Sequence, residues 1–138
     1  MAAPAATGES SAGPMMGMGA DMMARHMAPI PQAYAGITNP IPASEDSLIK
    51  GQALFIANCS LCHGDDGLGN GVASPVLTPQ PAPVALTSQM MGDDYLFWRI
   101  SEGGSMPPFN SAMPSWKAAF SADEIWDLIN YIRSLSSG

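Results

Sequence analysis

Basic residues are scarce in this 138-residue chain: five Lys and Arg face twelve Asp and Glu, a formal net charge of −7. That deficit disfavours nucleic acid as a partner, because binding it depends on cations that neutralise phosphates. Residues 44–138 alone hold ten acidic and four basic side chains. Such a surface either steers encounter with basic patches on protein partners or serves solubility. Long apolar runs are missing too. No stretch of about 18 apolar residues occurs, so no transmembrane helix is predicted. The start has no basic segment followed by an apolar one, so no intact signal peptide is read and the chain is expected to be a mature or truncated form. Cysteine is nearly absent, with two residues in all.

Those two cysteines stand in Cys59-Ser60-Leu61-Cys62-His63, the spacing of a c-type haem attachment site. Two intervening residues let one helical turn present both thiols to one edge of a porphyrin, for thioether links to its vinyl groups. The adjoining His63 is then carried under the iron. Rival chemistries fit less well. A thioredoxin-like pair needs a βαβ context that is not visible. A zinc site needs four ligands, and beyond these residues only His26 and carboxylates remain. A disulfide across two residues would close a strained, very small loop.

Residues 1–43 differ from the remainder. Ala, Gly, Pro, Ser and Met dominate, and Met15, Met16, Met18, Met22, Met23 and Met27 cluster beside His26. A largely irregular arm or linker is expected, with a short helix near Asp21–Met27. Pro29, Pro31, Pro40 and Pro42 make residues 28–43 an extended segment able to lie across a domain surface. Thioethers are soft ligands suited to Cu(I). The same methionines equally suit an adaptable apolar cover, or a linker to a membrane anchor.

A folded domain is expected over 44–138. Ser44 caps a helix with Glu45 and Asp46 in its first turn, and Leu48, Gly51 and Phe55, flanked by Ala53 and Ile56, form its buried side. That helix ends near Asn58. Repeated Gly and Pro from Gly64 to Pro83 mark a long loop, whose glycines allow backbone to approach the ring. A further helix is predicted over Asp93–Glu102, with Tyr95, Phe97, Trp98 and Ile100 apolar and Gly103–Gly104 ending it. Ser121 to Glu124 spells a capping box, followed at helical spacing by Ile125, Leu128, Ile129, Ile132 and Leu135.

Residues 44–138 resemble class I cytochromes c of the bacterial monohaem type. The likeness rests on the Cys59–His63 motif, Gly51 and Phe55 upstream, the Met-Pro loop, and a last helix containing Trp126 and Tyr131. It implies an all-α fold of three to five helices around one covalent haem c, with long Gly/Pro-rich loops. First and last helices would cross closely at Gly51, with Phe55 meeting Tyr131. The arm has no counterpart in the minimal fold.

A sixth iron ligand is expected to be methionine, whose neutral soft sulfur favours Fe(II). Met113-Pro114 and Met106-Pro107 both carry a Met-Pro signature, in which proline keeps the methionine extended. Met113 is preferred because it stands eight residues before the capping Ser121, as in the family's ligand loop. Met106 is the alternative, and His26 or an open position remains. The second nitrogen of His63 should donate to a backbone carbonyl; the resemblance suggests a proline carbonyl, here Pro75. Trp98 and Trp116 either contact the porphyrin or pack the core.

The implied function is single-electron shuttling between redox proteins, without substrate turnover. Partners would be a terminal oxidase, a reductase or a periplasmic dehydrogenase, met through a basic patch on the partner. Haem attachment of this kind places the chain in the periplasm or otherwise outside the cytoplasm, soluble or tethered. Alternatives are a haem sensor or enzyme with a displaceable sixth ligand, and a copper-handling module using the Met-rich arm.

Overall fold

In the computed structural model, residues 19–137 are described. Met15, Met16 and Met18 therefore lie outside the described residues, and with them half of the methionine cluster. The described residues form six α-helical segments and two short 3-10 turns, with no strand among them. Helix α1 spans Ala20–His26, α2 Glu45–Asn58, α3 Ser60–His63, α4 Val84–Thr87, α5 Asp93–Glu102 and α6 Ala122–Ser134.

Local chemistry sets the ends of the main helices. Ser44 accepts from the Ser47 amide at 3.2 Å and starts α2. The capping box at α6 is complete: Ser121 Oγ accepts from Glu124 N at 3.1 Å, and Glu124 Oε1 accepts from Ser121 N at 2.8 Å. Two of the otherwise unpaired amides at that end are thereby satisfied.

The frame of the domain is the crossing of α2 over α6. A Cβ at Gly51 would lie 2.1 Å from the Asp127 carbonyl oxygen and 2.7 Å from Tyr131 Cβ, so only glycine permits this approach. Phe55 packs on Tyr131 with ring centroids 5.5 Å apart. The buried stripe of α2 is Ser47, Gly51 and Phe55, each four residues on from the last. Leu48 is half-buried, but Ala53 and Ile56 face outward, contrary to expectation. Each residue advances a helix by about 100°, and the flanks of this stripe are taken by the half-buried Leu48 and Leu54 instead. Ser47 takes the inward place because Asp127 Oδ1 accepts its hydroxyl at 2.6 Å, while Asn130 Nδ2 donates to it at 2.9 Å.

Two apolar clusters result. Phe55, Ile100, Ile125, Trp126, Leu128, Ile129 and Ile132 form the larger one. Tyr95, Trp98 and Phe109 form the second, against which Met106 and the arm residues Ala28, Ile30 and Tyr34 pack. Trp98 is thus a core residue. The arm is also fixed by polar contacts: Tyr34 donates to Glu102 at 2.5 Å, Gly36 N to Asp94 at 2.9 Å and Asn39 N to Asp93 at 2.8 Å. Its short helix falls where the sequence places one.

Candidate haem site

Helix α2 runs through Cys59 into the single turn of α3, with Cys62 N and His63 N both donating to the Cys59 carbonyl, at 3.2 and 2.9 Å. Cys59, Cys62 and His63 come from this turn to one end of a mainly apolar cavity. Neither cysteine is in a disulfide. Burial, with a smaller contribution from Cys62, pushes the Cys59 thiol up to about 12. The loop after His63 folds back onto the motif: Gly69 N donates to the His63 carbonyl at 2.8 Å and Gly71 N to that of Cys62 at 3.1 Å. At Gly71 a Cβ would lie 2.2 Å from the Leu61 carbonyl oxygen, which is why the loop can close so tightly.

His63 Nδ1 lies 2.9 Å from the Ala82 carbonyl oxygen. A carbonyl only accepts, so Nδ1 carries the proton and Nε2 keeps its lone pair for a metal. The acceptor is Ala82, not Pro75: the loop returns to the histidine at Pro81-Ala82-Pro83, and Pro75 is an exposed residue of the 3-10 turn Ser74–Val76. Burial lowers the pKa of His63, with the Ala82 bond opposing and the Arg99 charge assisting. The neutral imidazole is the form a metal needs.

Met113 lines the same cavity, with Pro114 and Trp116. Its loop is pinned to the end of α5: Gly104 N donates to the Met113 carbonyl at 3.0 Å, and Ser111 N to that of Gly104 at 2.7 Å. Met106 does not line the cavity; it packs on the aromatic cluster. His26 does line it, and its Nδ1 is committed to the Met22 carbonyl at 2.9 Å. No group of three His, Cys, Asp or Glu able to hold a metal ion occurs among the described residues, so the zinc alternative gains nothing.

The cavity fits a haem in three respects. Phe55, Leu77, Ile100, Leu128 and Ile132 offer apolar walls to a macrocycle, the two thiols stand at one end, and an imidazole faces inward. Arg99 also lines it, and Arg99 Nε is buried without a hydrogen-bond partner. Burial lowers the pKa of this guanidinium, with Arg25 adding to the effect. A half-buried cation with an unpartnered Nε calls for an anion, which the carboxylates of a porphyrin would supply. Sequence reasoning missed Arg99. Its one signal was a lone cation between Trp98 and Ile100, within the apolar stripe of α5.

Among proteins of known sequence, a cytochrome c subunit of alcohol dehydrogenase (quinone) from Gluconacetobacter polyoxogenes is 26% identical over 121 residues, covering 80% of this chain and 25% of that protein. The cbb3-type cytochrome c oxidase subunit FixP of Bradyrhizobium diazoefficiens is 32% identical over 92 residues, covering 64% of this chain and 28% of that protein. The chain thus spans about a quarter of the length of these curated relatives. A chain of the reducing HAO-like protein complex of Kuenenia stuttgartiensis shares the fold, with a TM-score of 0.57 at 21% identity, over 72% of this chain and 47% of that one. Residues 46–132 match the family model described as cytochrome c oxidase, cbb3-type, subunit III. With the all-α fold and a cavity shaped around a Cys-x-x-Cys-His turn, this match places the chain in that family of c-type cytochromes, whose cofactor is covalently bound haem c.

Proposed function

We propose that this chain carries single electrons between redox proteins, using one haem c held by Cys59 and Cys62 and ligated by His63 and Met113. The observation that carries this reading is the convergence of those four residues on one apolar cavity. A single Cys-x-x-Cys-His sequence and only two cysteines support a single haem. When bound, the haem supplies one-electron chemistry between Fe(III) and Fe(II). The protein's part is to hold it still and dry. Ala82 fixes the His63 ring, the Gly104–Ser111 contacts fix the loop of Met113, and the crossing of α2 and α6 stiffens the wall behind Phe55. Two protein ligands leave no position for a substrate, which favours a carrier over a sensor or enzyme.

Electron exchange needs a surface for brief docking. Leu61, between the two cysteines, is 59% exposed, and the nearby Val72 is 85% exposed. Exposed Ile56 lines the same shallow surface depression, whose rim holds Asp65 and Asp66. We assign docking to this face, toward a partner with an apolar centre and a basic rim; contacts of this class are small and wet. An oxidase or a quinone-linked dehydrogenase is the partner type that the relatives suggest. The cytochrome domain is taken to begin near Ser44, with the preceding residues as an arm. Covalent haem attachment implies an extracytoplasmic location. No helix among the described residues is long and apolar enough to cross a membrane.

The ligand assignment is tested in the oxidised protein. Met113→Ala should abolish the sulfur-to-iron charge-transfer band, whereas Met106→Ala and His26→Ala should leave it in place. Loss of the band in Met106→Ala alone would overturn the assignment. Rapid stoichiometric carbon monoxide binding by the reduced parent protein would instead favour the sensor or enzyme reading.

A further inference from the structure

The chain is acidic, yet the cavity collects cations. Two of its five basic residues, Arg25 and Arg99, line the cavity, and among the described residues no Asp or Glu does. Arg99 belongs to α5, inside the family-matched region. Arg25 does not. It lies on α1, twenty-one positions ahead of residue 46, where the family match begins.

Helix α1 is held against the cavity by specific contacts. Tyr95 Oη donates to the Arg25 carbonyl at 3.3 Å, and the His26 ring stacks on Tyr95 with centroids 5.7 Å apart. Met22, Arg25 and His26, spaced three and four residues apart, thereby present one face of α1 to the cavity. Arg99 itself lies over the Phe109 ring, its guanidinium carbon 3.6 Å from the centroid. That stacking occupies a face of the guanidinium and leaves its N–H edge for an in-plane acceptor. Two like charges around one mainly apolar cavity, with no carboxylate lining it among the described residues, form a site for a dianion. Haem carries two carboxylates.

We propose that Arg25, delivered by the arm, acts with Arg99 as a positioning residue for the carboxylates of the haem, so that α1 completes the cofactor site from outside the family domain. The proposal rests on the haem reading above. Its consequence is electrostatic: a cation at the porphyrin's carboxylates favours the more electron-rich ferrous state.

The test compares Arg25→Gln, Arg25→Lys and Lys50→Gln in the full haem-loaded chain. Lys50 is exposed on α2 and not in the cavity lining, so its loss changes net charge equally at a remote point. Covalent haem is first verified by the pyridine haemochrome spectrum, and the reduction potential is then measured at fixed pH and ionic strength. Arg25→Gln should lower the potential, shifting the ferrous-to-ferric equilibrium several-fold more than Lys50→Gln, and Arg25→Lys should recover most of the difference. Equal shifts in Arg25→Gln and Lys50→Gln, with haem intact, would overturn the proposal while leaving the cytochrome reading standing. A parent chain without covalent haem would overturn both.

Discussion

Replacing Gly51 by alanine adds one methyl group at the tightest point of the α2–α6 crossing. That methyl carbon would sit 2.1 Å from the Asp127 carbonyl oxygen and 2.8 Å from its carbonyl carbon, against 3.4–4 Å for ordinary contact. The atoms it meets are backbone, so no side-chain rotation relieves the overlap; the helices must part. Overpacking of this kind costs about 1–3 kcal/mol, and a backbone obstacle puts Gly51→Ala at the upper end. Alanine returns about 1 kcal/mol of helix propensity. The net loss is therefore about 2 kcal/mol, a sizeable part of a typical domain's stability, and corresponds to a fall of about 10 °C in Tm. Guanidinium unfolding of the haem-loaded protein, followed by tryptophan fluorescence, measures it. Comparing Gln52→Gly with Gln52→Ala, on the exposed side of α2, isolates the propensity contribution. Both helices also wall the cavity, through Phe55 and Leu128, so Gly51→Ala should weaken the charge-transfer band as well. A Gly51→Ala protein as stable as the parent would refute the reasoning, because the two helices would then have slack that this crossing does not contain.

Acid should free the arm before it unfolds the domain. Burial pushes the Asp93 pKa up, but the Asn39 amide and Arg133 guanidinium outweigh it and hold the group below its usual value; the Tyr34 hydroxyl and then Lys117 do the same for Glu102. A depressed folded-state pKa gives stability that is complete above the unfolded value and lost as pH falls through the folded one. Exchange of the Gly36 and Asn39 amides, corrected for intrinsic rate, should accelerate below the ordinary carboxylate range; unchanged protection down to about pH 3 would contradict this. Ser121→Ala should cost about 1 kcal/mol by removing one half of the capping box, read as a lowered denaturation midpoint, and a cost near zero would mean the cap is idle. Asn130→Ala strips partners from Ser47, Asn39 and the Ile41 carbonyl, and should cost about 1–3 kcal/mol as buried polar groups lose their bonds. An unchanged unfolding midpoint would show that water replaces the side chain freely.

What could be read from the chain divides along a physical line. Ser44, Ser121 and Glu124 act on neighbours three residues away, so their roles are written locally and the helix starts fall where expected. The Cys59–His63 turn is also local. Its chemistry depends on spacing, whereas the preference for Met113 over Met106 rests on the family resemblance and stays a proposal. The acceptor for His63 depends instead on the path of a 20-residue loop, and one proline in it looks much like another. The outward placing of Ile56 was hidden for a different reason. On a chain that builds its core around a cofactor, an apolar residue beside the attachment motif is as apt for a partner's surface as for the interior. Arg25 left no local mark at all, because its significance arises only when Tyr95 draws α1 across the cavity.

The arm and the domain therefore share more than a boundary. The domain's second cluster, Tyr95, Trp98 and Phe109, is covered by Ala28, Ile30 and Tyr34, so part of what looks like an appendage buries apolar surface of α5. The same helix α5 carries Arg99 into the cavity and Asp93 and Asp94 toward the arm's backbone amides. The arm thus grips both ends of α5, since Tyr34 also donates to Glu102, while Arg99 between them faces the cavity. The arm holds α5 through carboxylates, and α5 would hold the porphyrin's carboxylates through the Arg99 guanidinium. Loosening the first set of contacts should relax the second, which makes the arm a determinant of the haem's electrostatic surroundings as well as a cover over it. Arm release in acid and a lowered reduction potential should accordingly occur together in Asp93→Asn. A potential that stays fixed while the amides of Gly36 and Asn39 become exposed would separate the two.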